Sequence, residues 1–260
     1  QEYFNKDALL GTKENKNTVQ VIGENKMLMK PDIYLLTYDA YVNNETMLGY
    51  GIDNSTQEEY LKEHGFKIYN EAYSIAGATW STMTRIFNMS AAYPEEKSQT
   101  IGGKSHVHNI LRSEGYTLGG VMLSGGLWEG IKPSLDFSYP VTLDDSVNSV
   151  GGHKIILNSI AAGEFHFDAD VKFGKASKDD FIKMKRKFMS SPVHPKFLYT
   201  HTGPTHSQNS GKCLKNETKL FERRLIKANQ EMKEDIETIQ KNNPNALVIV
   251  NGDHGPYLTG

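Results

Sequence analysis

Short apolar, β-rich runs recur along this chain, and three of them lead straight into an acid or a histidine. Asp32-Ile33-Tyr34-Leu35-Leu36-Thr37-Tyr38 is followed by Asp39, and Lys196-Phe197-Leu198-Tyr199-Thr200 by His201. Leu247-Val248-Ile249-Val250 follows the breaker Asn243-Pro244-Asn245 and leads into Asn251-Gly252-Asp253-His254-Gly255. Runs of this length and composition predict buried strands. Helical spacing fills the stretches between. Ser55-Thr56-Gln57-Glu58 has the form of a capping box, with His64-Gly65 as the stop. Further helices are predicted from about Thr79 to Ala92, from about Gly103 to Glu114, and from Ser177 to about Ser190. The longest is predicted over about Glu217 to Lys241, where Phe221, Leu225, Met232, Ile236 and Ile239 form one core-facing stripe. Tyr116 to Leu123 reads as a glycine-interrupted strand, and residues 125–152 as an irregular excursion rich in Gly, Pro, Ser and Asp. The alternation predicts an α/β fold: a mostly parallel central sheet with helices on both faces.

Composition narrows the partners. The chain has 260 residues, 38% hydrophobic and 23% charged, the balance of a globular protein. A net charge of −2 lacks the basic excess of a nucleic-acid binder. No apolar run reaches the length of a membrane span, and Gln1 to Asn17 is polar with no signal-peptide pattern. The chain therefore reads as soluble, or as a soluble piece of a longer protein. Its single cysteine, Cys213, forms no internal disulfide and no cysteine metal site. Residues 1–30 read as an N-terminal extension or linker and 31–260 as one catalytic domain, expected to be truncated at its C-terminus because the sequence stops shortly after His254.

The strand ends are where chemistry is expected, because ligands of open α/β sheets bind outside the carboxyl ends of the strands. Asp39, His201 and Asp253-His254 would all sit there. Carboxylate and imidazole are both metal ligands, and the glycines around Asp253-His254 allow a sharp turn. Turns are also rich in Asp and Gly for conformational reasons alone. The segment Ser74 to Phe87 adds five hydroxyl residues at the start of a helix, whose N-terminus favours anions. Thr79 there is either an ordinary N-cap or, beside a metal, a nucleophile.

In this order (strand-Asp39, Thr79 opening a helix, His201 and His206 after a strand, strand-Gly-Asp253-His254-Gly) the chain resembles the sulfatase-like branch of the alkaline phosphatase superfamily. The nearest likeness is to phosphoethanolamine and phosphoglycerol transferases and lipoteichoic acid synthases, over about Pro31 to Tyr257. The resemblance implies that Asp39 matches the first metal-binding acid, a Glu in the transferases. It implies that Thr79 matches the threonine nucleophile, and Asp253 and His254 the last two metal ligands. His206, in Gly203-Pro204-Thr205-His206, matches the histidine that contacts the transferred group. His201 is either a further substrate-binding residue or a hydrogen-bonded histidine at a strand end.

Three departures shape the expectation. Formylglycine sulfatases need a Cys or Ser in Cys/Ser-x-Pro-x-Arg, whereas Thr79-Trp80-Ser81-Thr82-Met83 offers no route to that aldehyde, which argues against sulfate-ester hydrolysis. The turn continues Gly255-Pro256-Tyr257-Leu258 rather than with the glutamate of the phosphoethanolamine transferases. No second Asp/His cluster is evident, so one metal is expected. Mixed nitrogen and oxygen ligation suits Zn or Mn better than Ca. The resemblance thus implies a one-metal enzyme that transfers or hydrolyses a phosphate-ester head group. Its donor would be a phospholipid, its acceptor a glycan or glycerol hydroxyl, and its place the extracytoplasmic face of a membrane, tethered by segments absent from this chain. The alternatives are a soluble phosphatase, phosphodiesterase or sulfuric ester hydrolase on the same fold, and a catalytically silent metal- or glycan-binding module.

Other residues invite plainer readings. His106 and His108 point to different helix faces and read as surface or packing residues, and Trp80 as packing. The basic run Lys183 to Lys187 reads as a solvated helix face with a possible approach to anionic lipid. Asn44, Asn54, Asn88 and Asn216 each begin a glycosylation-like triplet, a pattern common by chance.

Overall fold

The computed structural model describes residues 26–94, 96–123, 125–128, 131–140, 177–205, 216–256 and 258. Its centre is a five-stranded, all-parallel sheet of β1 (Ile33–Tyr38), β2 (Thr117–Met122), β3 (Phe137–Tyr139), β4 (Lys196–Thr202) and β5 (Leu247–Asn251). The spatial order is β3-β2-β4-β1-β5. The three strands singled out by their endings are therefore neighbours. Thr37 of β1 is level with His201 of β4 on one side and Asn251 of β5 on the other. All three carboxyl ends open at one edge.

The helices are α1 (Asn44–Leu48), α2 (Ser55–Glu63), α3 (Thr79–Asn88), α4 (His106–Ser113), α5 (Lys178–Met189) and α6 (Glu217–Asn242). Side chains alternate across a strand, so β1 serves two cores. Leu35 faces α3 and α4, where it joins Trp80, Met83, Phe87, Leu111 and Tyr199. Tyr34, Leu36 and Tyr38 face α2, α5 and α6, where they join Leu61, Phe181, Met189, Met232 and Ile236. Helices thus cover both faces, as the alternation predicts. The paired glycines of β2 serve this close layering: a Cβ at Gly119 would strike the Phe188 ring, and one at Gly120 would crowd Leu135 and Trp128.

Several boundaries differ from the expectation. β5 is a sheet edge among the described residues, with Leu247 49% and Ile249 43% exposed, although its composition reads as that of a buried strand. The α2 N-cap is Asn54, whose side chain makes no cap hydrogen bond, so Ser55 lies inside the helix and the capping box is not built. α3 stops at Asn88 because Met89 takes a left-handed conformation, φ 48°. α4 begins only at His106. Gly102 and Gly103 break the preceding turn, and the Ser105 hydroxyl then caps the His108 amide. His108 is a packing residue: it is buried, stacked on Phe87 and bonded through Nδ1 to Ser105. Burial lowers its pKa to about 3. Asn54 is buried too, its amide tied to Tyr41 and Asn229, which leaves no room for a glycan.

In the run Lys183 to Lys187, Lys183 and Lys187 are exposed as its composition suggests, but Lys185 is not. Lys185 is fully buried and donates to Glu231 at 2.7 Å and Asp235 at 2.5 Å, while Arg186 pairs with Glu234. Tyr38 completes this group by donating to Asp235 at 3.1 Å. No described helix is long and apolar enough to cross a membrane.

Candidate functional site

β1 ends at Tyr38, and the chain turns immediately through Asp39 and Ala40. Asp39 N–H donates to the Thr202 carbonyl at 2.8 Å, and the Thr205 hydroxyl donates to the Asp39 carbonyl. With its backbone held on both sides by the end of β4, Asp39 directs its carboxylate toward β5. Ala40 follows with φ 58°, a left-handed conformation that non-glycine residues adopt at a cost. That turn aims the Ala40 N–H at Asp253 Oδ1, 3.1 Å away.

The Asp253 turn crosses the Asp39 turn at very close range. A Cβ on Gly252 would collide with the Tyr41 carbonyl oxygen. Glycine is required there so that the two connections can pass and their carboxylates can meet.

The structure brings together Asp39, Thr79, His201, Asp253 and His254. Ligand atoms of Asp39, His201 and Asp253 all lie within 4.8 Å of one another. His201 Nε2 is 3.1 Å from Asp253 Oδ2 and 4.0 Å from Asp39 Oδ2. His254 Nε2 is 3.2 Å from Asp39 Oδ1 and 3.8 Å from Asp253 Oδ2. Asp253 and His254 are buried, and His201 is nearly so. His206 and Cys213 lie outside the described residues.

Thr79 opens α3, but the N-cap is Ala78, so the Thr79 hydroxyl is not used as a cap. It stands close enough to the Asp253 carboxylate to help stabilise its charge. Two other hydroxyls of the segment have local duties: Thr82 donates to the Ala76 carbonyl and Thr84 to the Trp80 carbonyl. Trp80 packs in the core, as expected.

The electrostatics follow from carboxylates and imidazoles sharing a dry space. Burial alone would raise the Asp253 pKa, but the His201 hydrogen bond, the two imidazoles and the Thr79 hydroxyl hold it well below the usual carboxylate range. Burial works against a charged His254, yet Asp39 and Asp253 lift its pKa to about 9. His201 is raised as well: burial opposes its charge, and Asp253 and Asp39 outweigh it. Without a metal, protonated imidazoles supply the charge that the carboxylates require. Two carboxylates, two imidazoles and a hydroxyl are a donor set that fits Zn²⁺ or Mn²⁺.

Thr205 and Ala40 are absent from the sequence-based candidates. Thr205 had a usable signal, a hydroxyl residue one position before His206. Ala40 had none, because nothing in an alanine announces a left-handed turn. No protein-family model matches the chain, and no curated protein sequence matches it.

Proposed function

We propose that this chain is a one-metal ester-transfer enzyme of the sulfatase-like type, with Thr79 as its nucleophile and a phosphodiester head group as its substrate. The observation that carries this reading is the Thr79 hydroxyl, free of capping duty at a helix start and beside Asp253, where Asp39, His201 and Asp253 converge and His254 adjoins them. A divalent cation, Zn²⁺ or Mn²⁺, would be held by Asp39, Asp253, His254 and the Thr79 oxygen, and would supply the Lewis acidity that makes the hydroxyl a nucleophile near neutral pH.

The residues divide the remaining work. Thr79 Oγ attacks phosphorus, the bond to the leaving alcohol breaks, and a threonine phosphodiester carrying the head group forms. The amides of the first α3 turn face the non-bridging oxygens and stabilise charge as it develops. His201, neutral once a cation satisfies the two carboxylates, takes the Thr79 proton and returns it to the leaving alcohol. His206 contacts the transferred group in the family that the chain resembles. The intermediate then passes its phosphate-ester head group to a glycan or glycerol hydroxyl, or to water, at the cell envelope, and Thr79 Oγ takes back a proton.

Intact-protein mass spectrometry with metal analysis tests this. Wild type and Thr79→Ala are incubated with Zn²⁺ or Mn²⁺ and phosphoethanolamine- or phosphoglycerol-bearing lipids. The expected result is a covalent adduct on wild type alone, whose mass names the head group. Bound metal with no adduct from either donor would overturn head-group transfer through Thr79.

A further inference from the structure

Asp39 and Asp253 stand at the ends of adjacent strands, yet β5 has only one strand neighbour among the described residues. Leu247 and Ile249 are substantially exposed along β5. Something must hold the end of β5 against β1 if the two carboxylates are to keep a fixed separation. At the last level of the β1–β5 register, Thr37 lies opposite Asn251. Thr37 Oγ1 donates to Asn251 Oδ1 at 2.8 Å. Thr37 is fully buried, and the buried Tyr199 hydroxyl lies beside it. Asp39 follows Thr37 by two residues, and Asp253 follows Asn251 by two. On the other side of Thr37 the same level holds His201 of β4.

We propose that the Thr37–Asn251 hydrogen bond is a positioning clamp that sets the gap between Asp39 and Asp253. The proposal rests on the reading of those carboxylates as one site. A side-chain bridge between neighbouring strands adds a tie that backbone pairing does not supply, and it sits where backbone pairing ends. Thr37 and Asn251 touch no substrate; they act through the turns that they anchor. Valine at position 37 keeps the shape and removes the donor, whereas serine keeps the donor.

Two measurements on Thr37→Val, Thr37→Ser and Asn251→Ala test the clamp. The first is hydrogen exchange of the Ala40 amide in metal-free protein, since that amide donates to Asp253. The expected result is exchange about tenfold faster in Thr37→Val and Asn251→Ala, with Thr37→Ser within about twofold of wild type and the Leu36 and Leu198 amides unchanged. The second is Co²⁺ titration followed by its visible absorption bands. The expected result is about tenfold weaker binding and altered bands in Thr37→Val, both restored in Thr37→Ser. Wild-type Ala40 exchange in Thr37→Val and Asn251→Ala would overturn the clamp. Equally faster exchange at Leu36 and Leu198 would reduce it to a general stability effect and overturn it too. Failure of wild type to bind Co²⁺ would count against the metal reading instead, and the exchange data would still decide the clamp.

Discussion

Two groups of buried acids lie on opposite sides of β1, and they solve the same electrostatic problem differently. On the α5–α6 side, Glu231 and Asp235 surround the Lys185 ammonium, and Tyr38 adds a hydroxyl. At the carboxyl edge, Asp39 and Asp253 are faced by the His201 and His254 imidazoles. The first group takes its countercharge from a lysine of its own. The second carries a countercharge that can leave as protons and expose nitrogen lone pairs. Burial of acids therefore does not mark a site by itself. What marks one is a countercharge that can be exchanged, because only then can a metal replace it.

The largest expected effect separates the groups by activity. Thr79→Ala should lower head-group transfer by a factor of about 10⁴ while leaving the α5–α6 group and the melting temperature nearly unchanged, measured as single-turnover adduct formation. Lys185→Ala should do the reverse. It leaves two carboxylates without their cation and should cost about 3–5 kcal/mol in denaturant unfolding, with metal affinity per folded molecule preserved. Equal loss of metal affinity in that variant would show that the two groups are one system.

Gly252→Ala comes next. The added methyl must push the Asp253 turn off the Tyr41 carbonyl, a clash with backbone that should cost about 3 kcal/mol or more. Metal binding should fall further than stability does, as isothermal titration would show.

The smallest effect is a pH dependence. In metal-free protein the His254 pKa is raised from 6.5 to about 9. Its stabilising contribution is therefore fully present below pH 6.5 and is lost as the pH rises through about 9. The melting-temperature difference between wild type and His254→Asn should shrink over that window. Metal affinity should rise across it, since the imidazole must lose its proton to bind. A difference that stayed constant from pH 6 to about 9.5 would show that the carboxylates do not hold the proton on His254.

Much of this comparison could be read in the sequence at one end and little at the other. Asp39, His201 and Asp253-His254 were legible because each follows a strand-like run, and parallel strands bring their ends to one edge. The exposure of β5 was not legible, since a five-residue apolar run looks the same at the centre of a sheet and at its edge. Lys185 was readable in principle. It stands four residues after Phe181 and three before Phe188, inside the apolar stripe of α5, where a lysine needs a buried partner. Weighing the basic run by composition hid that periodicity. Asp235 likewise sits between Met232 and Ile236 on the buried side of α6. The role of Thr79 depended on which residue caps α3, and one residue of difference between Ala78 and Thr79 decides whether the hydroxyl is spent locally or turned toward Asp253.

Ala40 marks a place where this chain accepts less stability than it could have. Glycine would occupy the same left-handed turn at lower conformational cost, by about 1 kcal/mol or somewhat more, and would also sample many others. Alanine samples few, so the turn that carries its amide to Asp253 is narrow once formed. The residue trades tolerance for aim. A search for stabilising substitutions would choose Ala40→Gly early, and would obtain a sturdier protein with a looser grip on the Asp253 carboxylate.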